Sequence, residues 1–164
     1  HVLRDYAHTL RAAKHRHVAD IPRWMAEVER LEKAQVPLPI VFGHHDLLPT
    51  NFMDDGTRLW LIDWEYGGFG TAMFDLANIA SNNQLTEKAE REMLEDYFEH
   101  QPNEAMLRSF YAMKTASALR EAVWGMVSEI HLAAPGVDYA AYAKEYLGRY
   151  ERMLHEYNSK FGTT

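Results

Sequence analysis

The chain has 164 residues, no Cys and a formal net charge of −7 at pH 7. That length suits one domain with its own core, and the missing thiols exclude disulfides and thiolate metal sites. The acidic balance argues against a nucleic-acid or anionic-membrane partner, which demands a basic patch. No apolar run approaches the ~20 residues of a membrane span, and the amphipathic N-terminus lacks a signal peptide's apolar core. A soluble, cytoplasmic protein with no membrane partner is the expectation.

In chain order, Val2, Leu3, Tyr6, Leu10 and Ala13 recur at helical spacing over residues 2–16. Asp20 stands where it can cap a second helix, with Pro22 in the first turn and an apolar face of Trp24, Met25, Val28 and Leu31. Pro37 and Pro39 end it, and a short apolar run over 39–43 delivers the chain to His44. Residues 52–62 have the pattern of a hairpin turning at Asp55-Gly56. Residues 65–70 form a glycine-punctuated loop, after which Thr71 can cap a helix carrying Phe74, Leu76, Ala77 and Ala80. Thr86 opens a further helix that Pro102 and Asn103 break. A long helix is predicted over 104–131, interrupted at Gly125, then a turn at Pro135-Gly136 and a last helix over 139–161. The expected fold is mainly α with a small β-hairpin.

The stretch that organises the chain holds His44, Asp46 and Asn51 in the pattern H-x-D-x-x-x-x-N, followed after the hairpin by Asp63. Taken singly, an Asp before Leu-Leu is a cap, an Asn before a strand is a turn residue, and an Asp ending a strand is again a cap. Taken together they match the catalytic loop of protein kinases and their small-molecule relatives, where such an Asp accepts a hydroxyl proton and the Asn and second Asp hold Mg²⁺. The residue types suit those tasks, because a carboxylate can take a proton as charge develops and Mg²⁺ prefers hard oxygen ligands, few of them from protein.

The longer pattern extends the match. Ile62-Asp63-Trp64-Glu65-Tyr66, a glycine-containing loop, and Phe74-Asp75-Leu76-Ala77-Asn78 resemble the choline/ethanolamine kinase branch of the aminoglycoside-phosphotransferase-like superfamily. The resemblance implies the C-terminal lobe of a protein-kinase-like α+β fold, ATP as co-substrate, Mg²⁺, and a cationic amino alcohol as substrate. It implies Asp46 as catalytic base, Asn51 and Asp63 as metal ligands, and Glu65 near the metal or the substrate's cationic end. It gives His44 and Asp75 supporting roles, with Asp75 tying the catalytic loop through backbone hydrogen bonds; from sequence alone a helix-cap Asp is an equal reading. Thr71-Ala72 departs from the Asp-Pro that many relatives carry.

A quaternary ammonium cannot be hydrogen-bonded, so proteins hold it with aromatic faces and carboxylates. Trp124, Tyr139 and Tyr142 resemble pocket aromatics of choline kinases, with Tyr66 as a further contributor, and Val127 stands where some carry a second Trp. The other reading is core packing, since Tyr139, Tyr142 and Tyr146 form a plain helical stripe. No Gly-rich strand-turn or Lys-bearing strand precedes His44, so the expectation over 1–164 is the C-terminal lobe alone, without the nucleotide-binding lobe. Such a lobe would expose a docking face, through which homo-oligomers could form. Two alternatives stand beside this reading. One is an aminoglycoside or other small-molecule kinase, whose pocket would rely on several carboxylates. The other is a non-catalytic binding module.

Overall fold

Small residues along one long helix let its neighbours approach closely, and the rest of the fold is arranged about it. The structure, a computed structural model, describes residues 2–132 and 134–162. Its elements are α1 (Val2–Ala12), α2 (Ile21–Lys33), β1 (Ile40–Gly43), β2 (Phe52–Asp54), β3 (Leu59–Leu61), β4 (Gly68–Thr71), α3 (Ala72–Asn83), α4 (Glu87–Phe98), α5 (Glu104–His131) and α6 (Tyr139–Phe161). Helix α5 is buried on several faces, and Ala112, Ser117, Ala118, Ala122 and Gly125 are among its buried residues. It packs most extensively on α6 and α3, and also on α1 and α2. No helix among the described residues is long and apolar enough to cross a membrane.

The core has two parts. One joins α1, α2, α5 and α6 through Leu10, Ile21, Trp24, Leu119, Met126 and Tyr150. The other joins the end of α2 to α3, α4, α5 and α6 through Leu31, Met73, Leu94, Phe110, Tyr111 and Tyr157. Lys114 is buried beside the second part, with its ammonium 2.8 Å from Glu90 Oε1 and 3.3 Å from Glu156 Oε2. The same ammonium sits 4.3 Å from the centre of the Tyr111 ring.

Two expected caps are made: Thr71 Oγ1 accepts from the Met73 N–H and Thr86 Oγ1 from Ala89. Asn103, expected only as a helix break, also caps α5, its Oδ1 accepting from Met106. Asp20 differs: it precedes α2 but makes no capping bond, because its carboxylate pairs with His17 Nδ1 at 2.9 Å. The first helix stops at Ala12, with Lys14 in the left-handed region at φ 50°, so Ala13 does not extend the apolar stripe.

The β structure is larger than the single hairpin expected. The hairpin is present, with Phe52 opposite Leu61 and Asp54 opposite Leu59. A second antiparallel pair forms where a loop was expected, with Ile40 opposite Thr71 and Gly43 opposite Gly68. Its glycines carry no strand propensity; they serve close approach. A Cβ on Gly43 would lie 2.7 Å from Asp75 Oδ2, and one on Gly70 would lie 3.1 Å from His45 Nε2.

Helix α5 runs through Gly125 without interruption. A Cβ there would meet Tyr142 Cδ1 at 2.9 Å and Ala143 Cβ at 3.1 Å, so this glycine sets how near α6 can come. Gly125→Val is expected to destabilise the fold by about 1–3 kcal/mol through overpacking, read from the urea midpoint; an unchanged midpoint would show that the two helices can part freely. Lys114→Ala strands a buried carboxylate and is expected to cost about 3–5 kcal/mol. Adding Glu90→Gln should recover much of that loss, and a purely additive double variant would speak against the buried pair.

Candidate active site

Between β1 and the short 3-10 turn at Pro49–Asn51 the chain is neither helix nor strand, so its backbone groups need partners from elsewhere. Side chains supply them. Four consecutive N–H groups are taken: His44 by Asp75 Oδ2 at 2.6 Å, His45 by Asp75 Oδ1 at 2.8 Å, Asp46 by His44 Nδ1 at 3.2 Å, and Leu47 by Asn78 Oδ1 at 2.6 Å. Three consecutive carbonyls are taken as well. Arg120 Nη1 donates to His45 O at 3.1 Å, Asn51 Nδ2 to Asp46 O at 2.8 Å, and Asn83 Nδ2 to Leu47 O at 3.3 Å.

His44 is buried and edge-on to Trp64, 4.7 Å between ring centres. Its Nδ1 accepts from Asp46, so the ring proton belongs on Nε2, which reaches the Ile62 carbonyl at 2.8 Å. This histidine therefore bonds the loop at 44–46 to the end of β3. His45 has φ 65° and Asp63 has φ 62°. The left-handed region is costly for side-chain-bearing residues and persists where surroundings over-determine it. At His45 those surroundings are the bonds just described, together with the Phe74 ring, edge-on at 5.3 Å.

Asp46 is half-buried. Asn51 Nδ2 reaches its Oδ2 at 3.3 Å. Burial pushes the Asp46 carboxyl above the ordinary carboxylate range, while Arg120, the Asn51 N–H and His44 act in the opposite direction and Asp63 adds to the rise. Beyond β2 and β3 the ladder continues, with the Ile62 N–H bonded to Asn51 O at 3.0 Å. Asp63 follows immediately, exposed and without a hydrogen bond from the described residues. The hairpin thus brings the three polar positions of the sequence pattern to one end of the sheet.

Asn51 spends its N–H groups on Asp46, which leaves its amide oxygen for a cation, and the Asp63 carboxylate is likewise uncommitted. Among the described residues no three His, Asp or Glu side chains form a metal cluster. One Asn and one Asp nevertheless fit Mg²⁺, which takes few protein ligands and the rest from phosphate and water.

The aromatic residues divide. Trp124 meets Tyr142 edge-on at 5.4 Å and Tyr139 at 6.1 Å, and Tyr142 lies 4.6 Å from Tyr146. Tyr146 is core, while Trp124, Tyr139 and Tyr142 stay partly exposed. Tyr66 is elsewhere: it lines a cavity of about 570 Å³ with His45, Phe74 and Arg120. Its ring centre is 5.9 Å from the Arg120 guanidinium, and it shares no ring contact with Trp124, Tyr139 or Tyr142. Glu65 is exposed and makes no ion pair among the described residues.

Asn78 stood in the sequence motif without an assigned role, and Asn83, Arg120 and Glu121 were not anticipated from sequence. Asn78 and Asn83 hold the loop from α3, Arg120 bonds it from α5, and Glu121 bonds Arg120. Glu121 is buried, with Oε1 2.9 Å from Arg120 Nη1 and Oε2 accepting from the Tyr142 hydroxyl at 2.9 Å. Burial raises its proton affinity, offset in part by Arg120 and Tyr142. The available signal was an Arg-Glu pair inside an otherwise small and apolar helix segment, 116–126.

The chain is similar to known kinases over its length. A solved structure of a choline/ethanolamine kinase family protein from Mesorhizobium loti superposes with a TM-score of 0.79 at 25% identity, covering 97% of this chain and 54% of that one. Protein LicA of Haemophilus influenzae is 41% identical over 54 residues, 33% of this chain and 20% of LicA. A thiamine kinase of Shigella boydii is 36% identical over 76 residues, 45% of this chain and 27% of that kinase. The chain therefore spans about half the length of the solved relative and less of the curated ones. The family model described as the phosphotransferase enzyme family matches residues 2–110, and the chain belongs to that family.

Proposed function

We propose that this chain is the substrate-side lobe of an ATP-dependent phosphotransferase acting on the hydroxyl of choline or a similar amino alcohol. The observation that carries the reading is the position of Asp46: half-buried, beside Asn51 and Asp63, on a loop whose backbone is bonded residue by residue. A carboxylate so placed can orient a hydroxyl and accept its proton as the new P–O bond forms. Asn51 and Asp63 would hold Mg²⁺, which when bound offsets charge on the nucleotide phosphates.

The partly exposed faces of Trp124, Tyr139 and Tyr142 would receive the substrate's cation. Aromatic faces attract ammonium groups by about 0.5–2 kcal/mol, more as water is excluded. Of the carboxylates near that cluster, Glu121 is paired with Arg120 and Tyr142, Glu129 with Arg16, and Asp138 accepts from the Ala141 N–H. That arrangement favours an aromatic cage over the several free carboxylates an aminoglycoside would call for. Thiamine, named in one relative, also combines a hydroxyl with a fixed cation and belongs in any substrate panel.

A nucleotide-binding lobe is proposed to lie outside this chain. The fractional match to the solved relative supports it, as do the exposed apolar side chains Ile40, Phe42 and Phe69 on the β1–β4 pair, with Trp60 on the hairpin. ATP as co-substrate and a cytoplasmic location complete the reading.

The test is ADP release by the complete reading frame with Mg-ATP and choline, ethanolamine, thiamine or kanamycin. Turnover with an amino alcohol is expected, falling about 10²- to 10⁴-fold in Asp46→Ala, the usual range for a lost general base. Retained turnover in that variant would remove Asp46 from the chemistry. Trp124→Ala is expected to raise KM for choline about 3- to 30-fold, as loss of a cation–π contact predicts, while KM for ATP stays put. An unchanged choline KM would return Trp124 to a packing role.

A further inference from the structure

We propose that Arg120 is a positioning residue for the catalytic loop, and that Glu121 and Tyr142 tie its placement to the aromatic cluster around Trp124. The kinase reading above supplies what the loop does; whether the loop is held this way is a separate matter. Arg120 Nη1 donates at once to His45 O, 3.1 Å away, and to Glu121 Oε1, 2.9 Å away. Its guanidinium carbon lies 5.4 Å from the Phe74 ring centre and 5.9 Å from that of Tyr66. The peptide joining His45 to Asp46 is thereby fixed at both ends, its carbonyl by Arg120 and its N–H by His44 Nδ1. Rotation of that peptide would redirect the bond from which the Asp46 side chain departs.

The pair itself is unusual. Adjacent helix residues point about 100° apart and do not face one another, so Arg120 and Glu121 meet only because outside partners draw them together. Those partners are His45 O on one side and the Tyr142 hydroxyl on the other. Both side chains are largely buried, at 12% and 5% exposed. A buried ion pair adds little net stability over apolar packing, its better-attested use being to fix one arrangement. Here the arrangement fixed runs from Tyr142, which packs on Trp124 at 5.4 Å, through Glu121 and Arg120 to the residue before Asp46. A cation seated on the aromatic cluster would press on the same tyrosine that anchors this chain of bonds.

The experiment compares Arg120→Gln, Arg120→Lys and Tyr142→Phe in the complete reading frame. It combines steady-state kinetics with Mg-ATP and choline, hydrogen-exchange mass spectrometry over residues 43–48, and thermal unfolding. Arg120→Gln is expected to lower kcat about 10- to 100-fold with KM for ATP within about twofold, the scale expected of a displacement near 1 Å. Exchange over 43–48 should rise while Tm stays near wild type, and Arg120→Lys should recover part of kcat. Tyr142→Phe keeps the ring, so its smaller kcat loss should disappear when combined with Arg120→Gln, as coupled residues are non-additive. Unchanged exchange over 43–48 in folded Arg120→Gln overturns the proposal, and so do fully additive kcat effects. If Arg120→Gln fails to fold, Arg120→Lys and Tyr142→Phe carry the same readings. If no protein turns over choline yet exchange rises in the Arg120 variants, the positioning role stands and the substrate reading fails.

Discussion

Everything at the candidate site depends on one carboxylate from α3. Asp75 accepts the N–H groups of both His44 and His45, and two charge-assisted bonds of this kind are among the stronger a neutral backbone can make. Gly43 exists beside it because a Cβ there would sit 2.7 Å from Asp75 Oδ2. The neighbouring bonds from Asn78, Asn83 and Arg120 extend the same device along the loop. A segment with no secondary structure of its own acquires a single conformation from side chains on two helices. The loop is consequently only as well defined as the packing of α3 on α5, which is why small residues in α5 bear on chemistry they never touch. Asn78 makes the point directly, since it donates to Ser117 Oγ at 3.2 Å while its oxygen holds Leu47.

Strain and support are matched along this segment. His45 adopts φ 65°, a conformation that costs a side-chain-bearing residue about 1–3 kcal/mol to hold. It is the residue whose N–H and carbonyl are both held by charged side chains, Asp75 and Arg120. Asp63 at φ 62° has no such grip of its own. Its backbone is placed instead by Ile62, whose N–H bonds Asn51 O and whose carbonyl meets His44. The difference suits the proposed roles, one residue anchoring the base and the other turning an uncommitted carboxylate outward.

Helix α6 was legible from sequence to both ends, because its helical spacing is long and the turn at Pro135-Gly136 precedes it; the Asp138 cap is what the structure adds. Helix α5 was legible in extent but not in continuity. Gly125 looked like a break by propensity, and tertiary packing against Tyr142 and Ala143 outweighs that preference. Strand β4 was not legible at all, since Gly68 and Gly70 suppress any strand pattern and pairing with β1 is a long-range event. At the site, the motif residues His44, Asp46, Asn51 and Asp63 stand close in sequence, and a hairpin of familiar length suffices to relate them. Arg120 and Glu121 stand far from the motif, and only the docking of α5 reveals that they belong to it.

That contrast also explains why the two tyrosine readings separate. Tyr139, Tyr142 and Tyr146 form one helical stripe, and periodicity alone assigns them one role. Burial divides them: Tyr146 is closed off at 5% exposed, while Tyr139 and Tyr142 lie toward the helix end, where α5 and α6 leave their faces open. Tyr142 stands at the division, its ring toward Trp124 and its hydroxyl committed to Glu121. A hydroxyl buried against a carboxylate is pushed far above its ordinary range of ionisation, so Tyr142 stays a neutral donor at any physiological pH. Its hydroxyl is satisfied by Glu121, the same carboxylate that pairs with Arg120, while its ring faces Trp124. Ring packing on Trp124 and a buried hydrogen bond to Glu121 are therefore two ends of the same side chain here.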